Sequence, residues 1–162
     1  MLIFGIDPGS RITGFGVIEY TGEGCKLRES GLIRLSPRLS FPKRLQKLYV
    51  DLAEKLKQSE PDQIAVEDIF CRENVKSALR IGQARGVVLL AASQTGVPVA
   101  EYSPREVKMA VVGSGRATKG QVQFMVKSIL GLSEHPPTDA ADALAVALCH
   151  AHKVGAERSR SK

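Results

Sequence analysis

Four acids that lie far apart along the chain are the residues whose types could do chemistry: Asp7, Glu67, Asp139 and Asp142. Asp7 ends the apolar run Leu2 to Ile6, and Pro8-Gly9 turns the chain directly afterwards, so its carboxylate is expected at a strand end. Glu67 lies towards the end of a second short apolar segment, Gln63 to Phe70. Asp139 and Asp142 open an Ala-rich stretch three residues apart, a spacing that projects both from one face of a first helical turn. Taken singly, each has a plain structural explanation: an acid before Pro-Gly forms a turn, and acids in a first turn complement the helix dipole. Taken together they suggest more. Carboxylates crowded into one site repel one another, and a hard, oxygen-preferring divalent cation, of which magnesium is the obvious one, keeps them ionised. Two such ions about 3.5–4 Å apart can activate water on one side of a phosphodiester and stabilise the departing oxygen on the other.

The charge balance is compatible with that chemistry. A net charge of +6 and a pI near 9.4 point to a polyanionic partner, although a solvated cationic face gives the same numbers. Cations that grip a phosphate backbone coexist sensibly with acids that hold metals. The histidines do not compete for the metal role: His150 and His152 fall on different faces of one helix, and His135 sits in a Pro-rich loop. Cys25, Cys71 and Cys149 are odd in number and contain no Cys-x-x-Cys pair, which indicates neither a disulfide framework nor a thiolate zinc site and fits a reducing cytosol. No signal-peptide pattern and no membrane-length apolar run is present, so a cytoplasmic protein is expected.

Length and composition, 162 residues of which 43% are apolar, suit one domain over residues 1–152. The basic, aperiodic tail over 153–162 is expected to be disordered. Three strands come first, Leu2 to Asp7, Gly14 to Tyr20 and Lys26 to Leu35, joined in an antiparallel meander. Pro42 then starts an amphipathic helix carrying Leu45, Leu48, Leu52 and Leu56, and the crossover makes Gln63 to Phe70 a strand parallel to the first. The long apolar segment from Ser77 to Thr95 has only Arg80 and Arg85 as charges, which suggests cover by the sheet on one side and a second subunit on another; a core helix of a monomer fits equally. Val97 to Tyr102 is a fifth strand, Ser103 and Thr118 begin two helices with capping-box spacing, and Thr138 to His150 forms the last.

With those elements placed, the residues resemble a known family. Gly5-Ile-Asp-Pro-Gly-Ser10 with Thr13-Gly-Phe-Gly16, Val66-Glu67, Ser77 to Gly86, Gln121 to Met125 and Asp139-Ala-Ala-Asp-Ala-Leu-Ala145 together are similar to the bacterial RuvC-type Holliday junction resolvases, over nearly the whole chain to about His152. The resemblance implies an α/β, ribonuclease H-like fold: a five-stranded mixed sheet, three strands antiparallel and two parallel, flanked by helices on both faces. It also implies a homodimer that makes paired, symmetric nicks in four-way DNA junctions during recombination and repair. Two magnesium ions per subunit are implied, with manganese able to substitute, as is work beside a branch-migration helicase and junction-binding subunit of RuvB and RuvA type.

Residue by residue, Asp7, Glu67, Asp139 and Asp142 match the family's metal-binding catalytic acids, and Lys119 and Lys108 match lysines placed near the cleaved strand. Phe70 matches an aromatic that stacks on a base unpaired at the crossover, with a core Phe as the competing explanation. Lys108 is also readily explained as a solvated surface lysine, and residues 71–76 receive no assignment. Three other readings stay open. A YqgF-like nuclease acting on RNA would share the acids. A sugar-kinase or actin-like nucleotide binder opens with a similar strand and turn but needs a longer chain, and a noncatalytic junction-binding scaffold would explain the positive charge alone.

Overall fold

The structure, a computed structural model, describes residues 1–68 and 75–160. Its elements in chain order are β1 (Leu2–Asp7), β2 (Ile12–Tyr20), β3 (Cys25–Arg34), α1 (Phe41–Ser59), β4 (Gln63–Glu67), α2 (Val75–Ser93), β5 (Val99–Tyr102), α3 (Pro104–Val112), α4 (Lys119–Ile129) and α5 (Thr138–Arg160). The strands form one sheet in the order β3-β2-β1-β4-β5, antiparallel across β3-β2-β1 and parallel across β1-β4-β5. The mixed sheet expected from the sequence is therefore present, with β1 at its centre.

Strand alternation sorts the side chains onto two cores. Phe4, Ile6, Ile64 and Val66 face a cluster closed by Leu48, Leu52 and Leu56 of α1 and by Ala84, Val88 and Ala92 of α2. Ile3 and Ala65 face the opposite cluster, where α5 supplies Leu144, Val146 and Leu148 and α3 and α4 supply Val107, Val111, Val122 and Val126. Helices thus cover both faces. The second apolar face that the sequence suggested for α2 is visible as well: Val75, Leu79 and Leu90 stay exposed on it.

Local chemistry sets the helix starts. Ser103 and Thr118 each accept a hydrogen bond from the N–H three residues on, Glu106 and Gln121, while those side chains accept from the cap N–H in return. Helix α5 is unusual in being buried nearly all round from Ala140 to Ala151, and small residues let it approach the sheet closely. A Cβ on Gly5 would stand 2.2 Å from Ala143 O, and one on Gly14 would stand 1.9 Å from Asp139 O. The glycines form the seam along which α5 rests on β1 and β2.

Two expectations need correction or narrowing. The tail is not disordered through 160: α5 continues helical to Arg160. Its continuation is anchored, with Lys153 over the Tyr102 ring at 5.2 Å and Gly155 packed against the Tyr20 hydroxyl, and Arg158 and Arg160 in the last turn complement the helix dipole. Strand β4 ends at Glu67 rather than residue 70, and Phe70 lies outside the described residues, as do 71–74.

Candidate active site

The register of the parallel strands determines where the first two acids meet. Ile6 pairs with Val66, so Asp7 and Glu67 sit side by side at the ends of β1 and β4. Both follow residues that face the α1–α2 core, and alternation turns both carboxylates to the α5 side. There the first turn of α5 arrives over Gly14, the antiparallel partner of Asp7. Asp7, Glu67 and Asp142 consequently line one cleft of about 250 Å³, with Lys108 and Lys119 in its wall.

Asp139 is placed differently. Its charge acts on Asp7 and on Lys119, but its side chain does not line the cleft. Lys119, the first residue of α4, reaches Asp142 Oδ2 with its Nζ at 3.2 Å, and the Asp142 charge raises the lysine pKa. Lys108 belongs to the cleft rather than to open surface, and its charge acts on Glu67.

Burial dominates the electrostatics. It pushes the Asp7 carboxyl up to about 9, helped by the Glu67 charge, a hydrogen bond to Glu67, and the charges of Asp142 and Asp139. Burial also raises Glu67, against the hydrogen bond from Asp7. Two adjacent buried carboxylates do not both ionise without a countercharge, and the hydrogen bond between them, which raises Asp7 and lowers Glu67, favours the proton on Asp7. A donor set made of carboxylate oxygens, with a proton to exchange, fits a hard divalent cation in its chemistry. Among the described residues, no three acidic, histidine or cysteine side chains are gathered closely enough to ligate one ion as they stand.

Several supporting residues carry little signal in the sequence. Arg85 of α2 donates from Nε to Glu67 O at 3.4 Å and pairs through Nη2 with Asp68 at 3.2 Å and with Glu101. It therefore clamps the end of β4 from below. His150, 7% exposed, donates from Nε2 to Gln63 Oε1 and accepts from the Tyr102 hydroxyl at 2.7 Å, tying α5 to β4 and β5. Burial lowers its pKa and keeps it neutral. His152 is exposed and meets Ala110 O, so neither histidine faces the acids. The only clue to Arg85 was an isolated cation in an apolar helix.

A phosphodiester seated in this cleft would lie between acids and ammonium groups, and the ribonuclease H-like topology beneath it places the protein among the nucleases of that fold. Residues 3–150 match the family model described as "Crossover junction endodeoxyribonuclease RuvC". A protein of that name from Pelotomaculum thermopropionicum is 55% identical over 159 residues, 98% of this chain and 97% of that one. The Thermus thermophilus RuvC structure superimposes with a TM-score of 0.88 at 38% identity, covering 97% of each chain. The same organism's RuvC in complex with Holliday junction substrate gives 0.86 at 36% identity, covering 95% of each. This chain belongs to the RuvC family, and it is a crossover junction endodeoxyribonuclease.

Proposed function

We propose that this chain resolves four-way DNA junctions as a homodimer, cutting two strands at symmetric positions with magnesium held by Asp7, Glu67, Asp139 and Asp142. The observation that carries the reading is the convergence of Asp7, Glu67 and Asp142, from two strand ends and a helix start, into one cleft with Lys108 and Lys119. Two ions per subunit suit the number of acids, with manganese as a substitute. Bound there, the metal supplies activation of water and neutralisation of charge on the departing oxygen.

The chain's own groups do the rest. Asp7 gives up its shared proton as the site is loaded, which leaves two carboxylates oriented by β1 and β4. Asp142 holds the Lys119 ammonium at the cleft mouth, where Lys119 and Lys108 neutralise a phosphate's charge and fix its position. Asp139 contributes from the neighbouring turn of α5. Phe70, just beyond Glu67 in the sequence, stacks on a base unpaired at the crossover.

A dimer is supported by the exposed apolar face of α2, with Val75, Leu79 and Leu90. A near two-fold junction needs two equivalent cuts, and a two-fold dimer supplies two identical sites. Junction DNA as substrate is supported by the solved relative, whose own structure holds a Holliday junction. The setting is homologous recombination and DNA repair in the cytoplasm, beside partners of RuvA and RuvB type. Among the described residues, no helix is long and apolar enough to cross a membrane.

A synthetic four-way junction incubated with magnesium, with calcium or with chelator, and mapped for nicks on all strands, tests the proposal. Paired symmetric nicks that need magnesium are expected, and Asp7→Asn should bind the junction without cutting it. Unpaired or metal-independent nicks, or normal cutting by Asp7→Asn, would overturn it.

A further inference from the structure

A basic groove of about 1030 Å³ adjoins the catalytic cleft and shares Pro104 and Lys108 with it. It follows α3 from Ser103 to the loop over 113–116, and its wall contains Arg105, Lys108 and Arg116 with no acid and no aromatic or amide side chain. Glu106, the acid on the same helix, is turned back into the capping box, where its carboxylate accepts from Ser103 N at 2.8 Å and from Ser103 Oγ at 2.7 Å. Neither Arg105 nor Arg116 is in an ion pair among the described residues.

The groove is also built rather than incidental. Gly113, at φ +80°, ends α3 in the left-handed region, and the loop closes on itself through Arg116 N to Ser114 Oγ at 3.4 Å and Ala117 N to Ser114 O at 3.1 Å. A Cβ on Gly115 would stand 2.8 Å from Arg105 Cγ, so the loop backbone lies directly against the arginine stem and limits where its guanidinium points. The nine residues of α3 span about 14 Å.

We propose that this groove binds the sugar–phosphate backbone of the junction strand flanking the scissile phosphate. Arg105 and Arg116 are its phosphate-binding residues, and Lys108 is common to groove and cleft. Contacts of this kind fix register and contribute affinity without reading bases, which suits a wall that lacks stacking and amide groups. The inference rests on the junction-cutting reading above.

The test is the salt dependence of binding to a synthetic four-way junction, in chelator so that no strand is cut, for the double variant Arg105→Ala/Arg116→Ala. As a control, Lys26→Ala/Lys57→Ala removes two exposed cations at the opposite end of the sheet from Asp7. Loss of two phosphate contacts should lower the slope of log affinity against log salt by about 1.8, so that wild type loses about 12-fold more affinity than the groove variant between about 50 and 200 mM salt. Thermal melting should stay unchanged. A slope shift no larger than the control pair's would overturn the proposal and leave the groove to another class of ligand, such as an acidic protein surface. A wild-type protein that fails to cut the junction would instead remove the reading on which it rests.

Discussion

The glycine seam under α5 makes a quantitative claim about activity through Gly14→Ala. A methyl group there would stand 1.9 Å from Asp139 O and 2.5 Å from its carbonyl carbon, both backbone atoms that no rotamer change can move aside. An ordinary carbon–oxygen contact is about 3.4 Å, so the first turn of α5 must lift by about 1.5 Å. That turn carries Asp139 and Asp142, and Gly14 is the strand partner of Asp7. The lift separates the helix acids from the strand acids. Misplacement of about 1 Å in a reacting constellation can cost on the order of 100-fold in rate, equivalent to about 2.7 kcal/mol of barrier. Overpacking should also cost about 1–3 kcal/mol of stability, read as a fall in Tm of about 2–12 °C. Single-turnover cleavage of a four-way junction at saturating magnesium measures the first effect, and thermal unfolding measures the second. Gly16→Ala is the companion variant. Its methyl meets the Leu144 side chain at 2.6 Å, further along α5, so it should lower Tm while leaving cleavage within about threefold of wild type. Gly24→Ala, with nothing within 4 Å, should change neither. A folded Gly14→Ala protein that cuts as fast as Gly16→Ala would refute the claim that the seam sets the acid spacing.

Three further expectations follow from the same geometry. The Asp7 carboxyl is raised from its ordinary 3.8 to about 9, so the metal-free folded chain holds a proton that the unfolded chain releases, and stability should fall as pH rises across that window. Asp7→Asn removes this dependence; its Tm advantage over wild type in chelator should be larger at pH 8 than at pH 5, and equal differences would contradict the shared proton. Lys119→Ala should cut about 100-fold more slowly through loss of phosphate stabilisation. Its Tm should barely move, because the Lys119 side chain is 72% exposed and exposed ion pairs contribute little. Tyr102→Phe leaves His150 Nδ1 buried without a donor, and thermal unfolding should report a loss of about 1–3 kcal/mol.

The sequence made the two strand-end acids legible because Asp7 and Glu67 each close a short apolar run, and the crossover rule then made their strands parallel. The capping boxes at Ser103 and Thr118 were equally readable, since their chemistry is complete within four residues. What escaped depends on contacts between distant segments. Arg85 looks like a lone charge until α2 is laid against β4, and His150 looks solvent-facing or structural until Tyr102 and Gln63 come to its two nitrogens. The tail reads as disordered because its own periodicity is weak. It is helical because it continues α5 and because Tyr20 and Tyr102, from two strands, receive it. Lys108 reads as surface because nothing local distinguishes it from other lysines on amphipathic helices.

The same physics explains why the acids come from strand ends and a buried helix rather than from loops. Buried carboxylates destabilise the fold that holds them, and crowding adds to it: burial is the main cause that raises Asp7 and Glu67, with the charges of the neighbouring acids behind it. A flexible segment would relieve that repulsion by moving apart. Strands β1 and β4 cannot, because their registers are fixed by Ile6 and Val66 in the core, and α5 cannot, because every residue from Ala140 to Ala151 except Asp142 is buried and its backbone rests on glycine. Lys119 and Lys108 offset part of the cost at the rim. A proton on Asp7 offsets what remains, and on the proposed function a divalent cation would do so in its place, which would make metal affinity and proton release two readouts of one rigid cluster. Lifting α5 at Gly14 should therefore lower the Asp7 pKa, chiefly by admitting water to the cleft since burial is its main cause, as it slows cleavage.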